Sequence, residues 1–130
     1  MKLVCCPGAH PQRWLHFICR DVWLRVESTA TAWTSRFRPS ADLLVPLKSG
    51  EGRYVAPQQV LDELEDEGRV VFRYHDNPNG SLRDIAGICS ANGRVVGLMP
   101  HPEHAIEALT GPSDDGLGVF YSALDSVLAA

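Results

Sequence analysis

The segment Gly97-Leu98-Met99-Pro100-His101-Pro102-Glu103-His104 holds the residue types best suited to moving a proton. A short apolar run leads into a proline-bracketed turn that displays His101, and Glu103 follows two residues later. Pro102 restricts the backbone of His101 to extended geometry. A rigid turn at the C-terminal end of a strand is where α/β sheets commonly place reacting groups. A carboxylate beside an imidazole fixes its tautomer and favours its charged form, so the ring can accept and return a proton. That is two-thirds of a Cys-His-acid or Ser-His-acid arrangement. Two polar residues on a turn are equally an ordinary solvated surface, and from the residues alone both readings stand.

A nucleophile is harder to find. Cys5, Cys6, Cys19 and Cys89 have irregular spacing and form no C-x-x-C pair, so reduced thiols are expected rather than a disulfide framework. Cys5 and Cys6 lie between Val4 and Pro7, while Cys19 and Cys89 sit inside apolar, strand-like runs. None has the flanking glycines that let a strained turn present a thiolate to backbone amides. His101, Glu103 and His104, with Cys89 or His75 as a fourth ligand, are a mixed set of the kind that holds zinc. No pair among them has a recurrent ligand spacing, so no metal is expected. The loop Ser49-Gly50-Glu51-Gly52-Arg53 could cradle an anion or a substrate carboxylate with its amides and Arg53. It lacks the Lys-Ser/Thr ending of a P-loop, and a plain turn is the alternative.

These residues need elements to position them. Leu15 to Val26 is rich in aromatic and β-branched residues and reads as two strands with a kink near Arg20-Asp21. Residues 29–37 alternate Thr with Ala and Trp, which favours another strand, and Trp23 and Trp33 read as core. Residues 42–48 form a short run whose Pro46 argues for a sheet edge or a strand end. A helix is predicted over 57–67, with Pro57 in its first turn, Val60, Leu61 and Leu64 as its apolar stripe, and Gly68 as its C-cap. Asp62, Glu63, Glu65, Asp66 and Glu67 make the remaining face acidic and solvated. Residues 69–74 read as a strand. Asn92-Gly93 between Ile85–Ser90 and Arg94–Met99 signals a hairpin with a type I′ turn. A last helix is predicted over about 115–128, burying Leu117, Phe120, Tyr121, Leu124, Val127 and Leu128. Strands interspersed with helices indicate an α/β fold with a mixed sheet, and two helices are too few to cover both faces of a parallel sheet.

Composition narrows the function classes. The chain has 130 residues, 45% apolar and 22% charged, with a formal net charge of −4. That suits one domain. Twelve Lys and Arg against sixteen Asp and Glu leave no basic excess for a nucleic-acid groove. No apolar run approaches the ~18 residues of a membrane helix. The N-terminal segment lacks a signal-peptide core. The expectation is a soluble, cytoplasmic chain.

Five segments in order carry a resemblance: Val45-Pro-Leu-Lys-Ser-Gly-Glu-Gly-Arg-Tyr54, Val70-Val-Phe-Arg-Tyr74, Asn77-Pro-Asn-Gly-Ser81, Ile85-Ala-Gly-Ile88 and Gly97-Leu-Met-Pro-His-Pro-Glu103. Together they resemble the glutaminase subunit of phosphoribosylformylglycinamidine synthase, a class I glutamine amidotransferase, over about residues 15–130; residues 1–14 match poorly. The resemblance implies a partial flavodoxin-like α/β domain carrying a Cys-His-Glu triad. In it a thiolate attacks the glutamine amide, forms a glutamyl thioester and releases ammonia for purine biosynthesis. It implies His101 as general acid/base and Glu103 as the residue that orients it, with Gly50, Glu51, Gly52 and Arg53 near the glutamine site or a partner interface. The implied partners are the large synthase subunit, which uses ATP and Mg, and a small accessory subunit; no cofactor is implied for this subunit. The family's Gly-x-Cys-x-Gly nucleophile elbow has no counterpart here, so the chain resembles only the second half of the domain. The expectation is a truncated chain, inactive alone and marginally soluble where strands such as 69–74 would lose their covering helices. Alternatives are a split-protein or non-catalytic partner of the synthase, and a metal-dependent hydrolase using His101, Glu103 and His104.

Overall fold

The computed structural model describes residues 17–130. The start of the predicted Leu15–Val26 strand pair, the 1–14 segment, Cys5 and Cys6 lie outside the described residues. Five strands, β1 (Ile18–Val26), β2 (Asp42–Ser49), β3 (Val70–Tyr74), β4 (Ile85–Cys89) and β5 (Val96–Leu98), form one sheet in the order β2-β1-β3-β4-β5. Two α-helices accompany them, α1 (Gln58–Asp66) and α2 (Leu117–Leu128).

The mixed sheet expected from the sequence is corrected. Every hydrogen-bonded pairing among the described strands is antiparallel. The reason is topological. Helix α1 carries the chain from β2 to β3, and these two strands do run parallel, but β1 lies between them and is antiparallel to both. The kink expected at Arg20-Asp21 is also absent. β1 pairs with β2 in unbroken register from Ile18↔Ser49 to Arg25↔Asp42.

Residues 31–37 are a run of turns, not a strand. The Thr31 and Thr34 hydroxyls hydrogen-bond each other at 2.7 Å, and Thr31 Oγ1 accepts from the Trp33 amide at 3.1 Å. Short hydroxyl side chains compete in this way with ladder bonds. The segment joins two other elements. Ala32 N–H donates to Gly93 O and Trp33 Nε1 to Arg94 O, while Arg36 N–H donates to Ser122 Oγ in α2. Trp33 is thus partly buried, but Trp23 is half exposed. The β4–β5 hairpin forms where expected, with a different turn. Gly93 N–H donates to Ser90 O, and Gly93 alone takes a positive φ (66°) while Asn92 does not, so the turn is not type I′.

Helix α1 starts one residue after Pro57, whose carbonyl accepts from Val60 and Leu61. It ends in a Schellman motif: Gly68 has φ 63°, its N–H donates to Glu65 O, and Arg69 N–H donates to Leu64 O. Leu61 and Leu64 cover Val70, Ile85 and Ile88 on one face of the sheet, and Val60 is exposed. The acidic face is partly paired rather than free. Glu65 binds Arg73 with both oxygens, Asp62 pairs with Arg83, and Glu67 with Arg69.

The other face carries the larger core, from Leu24, Val45 and Phe72 to Ala105 and Val119. Both faces of β3 are therefore covered, contrary to expectation. A row of exposed apolar residues lies on α2 instead. Its buried face is Val119 and Ser122, with Gly118 against Phe37 and Asp125 paired to Arg36 at 2.5 Å. The predicted stripe of Phe120, Tyr121, Leu124, Val127 and Leu128 is exposed, Val127 at 72% and Leu128 at 74%.

Candidate active site

The His101 turn is built on a sheet edge. Pro46 lies in β2, at the outer edge of the sheet, where its missing N–H breaks no ladder bond. Its carbonyl accepts the His101 N–H at 2.8 Å. Two residues earlier on that edge, Leu44 N–H donates to Asp115 Oδ2 at 2.8 Å, and Leu44 O accepts from Ser113 Oγ at 2.7 Å. The edge is thus covered by the His101 turn and the 113–115 loop, which blunts it against strand addition.

From β5 the ladder continues one step, Met99 N–H donating to Ala86 O at 3.1 Å. Pro100 is buried and Ala105 has no exposed surface, so the turn between them is anchored at both ends. Residues Pro102–His104 make one 3₁₀ turn, with His101 as its N-cap at φ −108° and ψ 89°, the extended geometry a following proline imposes. Gly116 N–H donates to Ala105 O at 2.8 Å, and a Cβ at Gly116 would stand 2.7 Å from that carbonyl oxygen.

His101 Nδ1 and Glu103 Oε1 are 2.7 Å apart. An ionised carboxylate only accepts, so His101 donates Nδ1–H and keeps its Nε2 lone pair free to take a proton. The side chains are 34% and 51% exposed, open enough for a reactant to reach them. Burial pushes the Glu103 carboxyl up, but its own backbone amide, the His101 hydrogen bond and the positive potential of His101 and His104 hold it below its ordinary value. The carboxylate is therefore charged when it orients the ring.

Two contacts around the pair are not readable from the sequence, the stacking of His104 on His101 and the approach of Lys48. The His104 ring stacks on His101, with centroids 5.3 Å apart and planes 22° apart, because side chains three apart in a 3₁₀ turn eclipse. The Lys48 ammonium donates to His104 Nδ1 at 3.2 Å from 56 positions away. An open cleft of about 710 Å³ lies alongside, with Cys19, Lys48, Glu103, His104 and Thr110 among its walls.

The Gly50–Arg53 loop abuts the chain that delivers His101. A Cβ on Gly52 would fall 2.7 Å from Met99 Sδ, and Gly52 O accepts from Asn79 Nδ2 at 3.0 Å. Asn77 organises that second loop, its Oδ1 accepting from Gly80 and Ser81 amides. Of the fourth metal ligands considered, His75 is instead paired with Asp42 at 2.6 Å, and Cys89 is buried; neither joins the cluster of His101, Glu103 and His104. Both described cysteines are free thiols, Cys19 exposed and Cys89 buried, and burial pushes the Cys89 thiol up, away from a nucleophilic thiolate. Among the described residues, no thiol hydrogen-bonds to His101.

An oriented imidazole–carboxylate pair on a rigid turn of an α/β domain can serve as the acid/base part of an acyl-transfer site. Comparison gives the family. The chain belongs to the CobB/CobQ-like glutamine amidotransferase domain family, whose profile matches residues 11–118. It is 91% identical over 114 residues to the phosphoribosylformylglycinamidine synthase subunit PurQ of Mycobacterium bovis, covering 88% of this chain and 51% of that protein. The PurQ of Corynebacterium jeikeium is 62% identical over 115 residues, covering 88% and 52%. A solved chain described as the structure of PurLQS from Thermotoga maritima superposes with a TM-score of 0.76 at 41% identity, covering 87% of this chain and 49% of that one. The chain spans about half the length of the curated relatives it matches. Among the described residues, no helix is long and apolar enough to cross a membrane.

Proposed function

We propose that this chain carries the acid/base pair of a cytoplasmic glutaminase that supplies ammonia to a phosphoribosylformylglycinamidine synthase in purine biosynthesis. The observation that carries this reading is the 2.7 Å His101–Glu103 pair in a chain 91% identical to a PurQ protein over 114 residues. His101 Nε2 takes the proton of an attacking thiol and returns it to the departing ammonia; Glu103 holds the ring in the tautomer that leaves Nε2 free. The thiol attacks the side-chain amide of glutamine, a thioester forms, ammonia leaves, and water activated by the same imidazole releases glutamate. Gly50, Glu51, Gly52 and Arg53, in a loop whose Gly52 is set against Met99, would contact glutamine or a large synthase subunit that uses ATP and Mg and passes the ammonia on. This subunit itself would need no cofactor.

None of the four cysteines is flanked by glycines as a nucleophile elbow requires, so these 130 residues alone are expected to release no ammonia from glutamine. The test is a chimera in which this chain replaces the matching stretch of the Mycobacterium bovis relative, assayed with that protein's synthase partners. Glutamine-dependent formation of the amidine product supports the reading. A folded chimera that works with added ammonia but not with glutamine refutes it.

A further inference from the structure

We propose that His101, Glu103 and His104 form a three-ligand site for a divalent transition-metal ion of the zinc class, whose occupation withdraws the His101 imidazole from proton transfer. One ligand atom from each of the three lies within 4.8 Å of the others. Two imidazoles and a carboxylate, with a fourth position open to water, are a recurrent zinc set. The closest pair is nearly placed already. Zinc bonds of about 2.0–2.1 Å at tetrahedral angles put ligand atoms roughly 3.3 Å apart, so His101 Nδ1 and Glu103 Oε1 need to separate by only about half an ångström from 2.7 Å. The ion takes the place of the hydrogen-bonded proton.

His104 completes the set through the eclipsing that stacks it on His101. Its ring needs a modest rotation about a soft torsion, and where it binds through Nδ1 Lys48 must give up its hydrogen bond to that atom. Through that nitrogen Lys48 and the metal compete for His104. All three ligands lie on one short turn at the surface, so the ion needs no entry channel, and the Pro46 bond and buried Ala105 keep the turn in place as it binds.

The consequence for chemistry rests on the glutaminase reading. Bound through Nδ1, the ion displaces the ring proton to Nε2, the nitrogen that has to accept from the thiol; bound through Nε2, it occupies that acceptor directly. Either way His101 no longer serves as a base.

The test is titration calorimetry of the 130-residue chain with Zn²⁺, in a background with Cys5, Cys6 and Cys19 changed to Ser and Cys89 to Ala so that thiols do not contribute. One equivalent should bind, and His104→Ala and Glu103→Gln should each weaken it by at least about tenfold. Imidazole ¹⁵N shifts should move for His101 and His104 and not for His75. In the chimera, Zn²⁺ should stop ammonia release in a way that a chelator reverses and His104→Ala relieves. Binding unchanged by His104→Ala, or inhibition that persists in that variant, overturns the proposal. A chimera that binds Zn²⁺ but never releases ammonia refutes the glutaminase reading and the inhibitory consequence while leaving the metal site standing.

Discussion

On the proposed reading Glu103 acts by its charge, which Glu103→Gln removes while keeping the side chain's shape. Glu103→Gln in the chimera should lower kcat for ammonia release by about 10²–10⁴, the range for losing a general acid/base function, with KM for glutamine little changed. The same carboxylate sets an acid-side stability signature. Its folded pKa lies below the ordinary value, so it stabilises the native state above the unfolded value of about 4.3 and that contribution is lost as pH falls through the folded one. In urea titrations the gap between wild type and Glu103→Gln should close as pH falls below the unfolded value of about 4.3; a gap that widens on acidification contradicts the assignment. The pair itself was legible in the sequence, since two prolines and a spacing of two are local information. The His104 stack followed from a 3₁₀ turn too short to show periodicity, and Lys48 arrives from 56 positions away, a distance no local pattern encodes.

At the level of elements, the site depends on how the β2 edge is closed. Asp115→Ala leaves the Leu44 N–H without its charged acceptor and should cost about 1.5–3 kcal/mol by urea denaturation, whereas exposed Asp114→Ala should stay within about 0.5 kcal/mol. Gly93→Ala places a side chain at φ 66° with its Cβ 3.1 Å from Ala30 O, and should cost about 1–2 kcal/mol. Equal stability in either variant would show that the edge loop or the hairpin tip bears little of the structure. α1, β3 and the β4–β5 hairpin could be read from apolar spacing, Gly68 and Asn92-Gly93. The 31–37 segment could not, because alternating Thr and Ala look like a strand until the Thr31–Thr34 hydroxyl pair turns the chain. α2 was placed along the chain and turned to the wrong face. Val119 enters the core, and the other docking contacts, Gly118, Ser122 and Asp125, meet Phe37 and Arg36 by fit and polarity rather than by an apolar stripe.

For the whole molecule, the α/β layering was legible and the sheet's antiparallel order was not, since strand order depends on β1 inserting between β2 and β3. The outward row on α2, with Leu124 51% exposed, is contiguous apolar surface of the kind that drives association. The purified chain should bind a hydrophobic dye and elute larger with rising concentration, and Leu124→Glu with Leu128→Glu should suppress both without lowering the melting temperature. A sharp, concentration-independent monomer would contradict that. The most direct test of the central claim compares three chimeras by ammonia release from glutamine: this chain's own residues, the same with Cys19→Ser and Cys89→Ala, and the same with His101→Ala. The account predicts that the cysteine changes leave kcat unaltered and that His101→Ala lowers it by about 10²–10⁴. Loss of activity on removing Cys19 or Cys89, or full activity without His101, would contradict it.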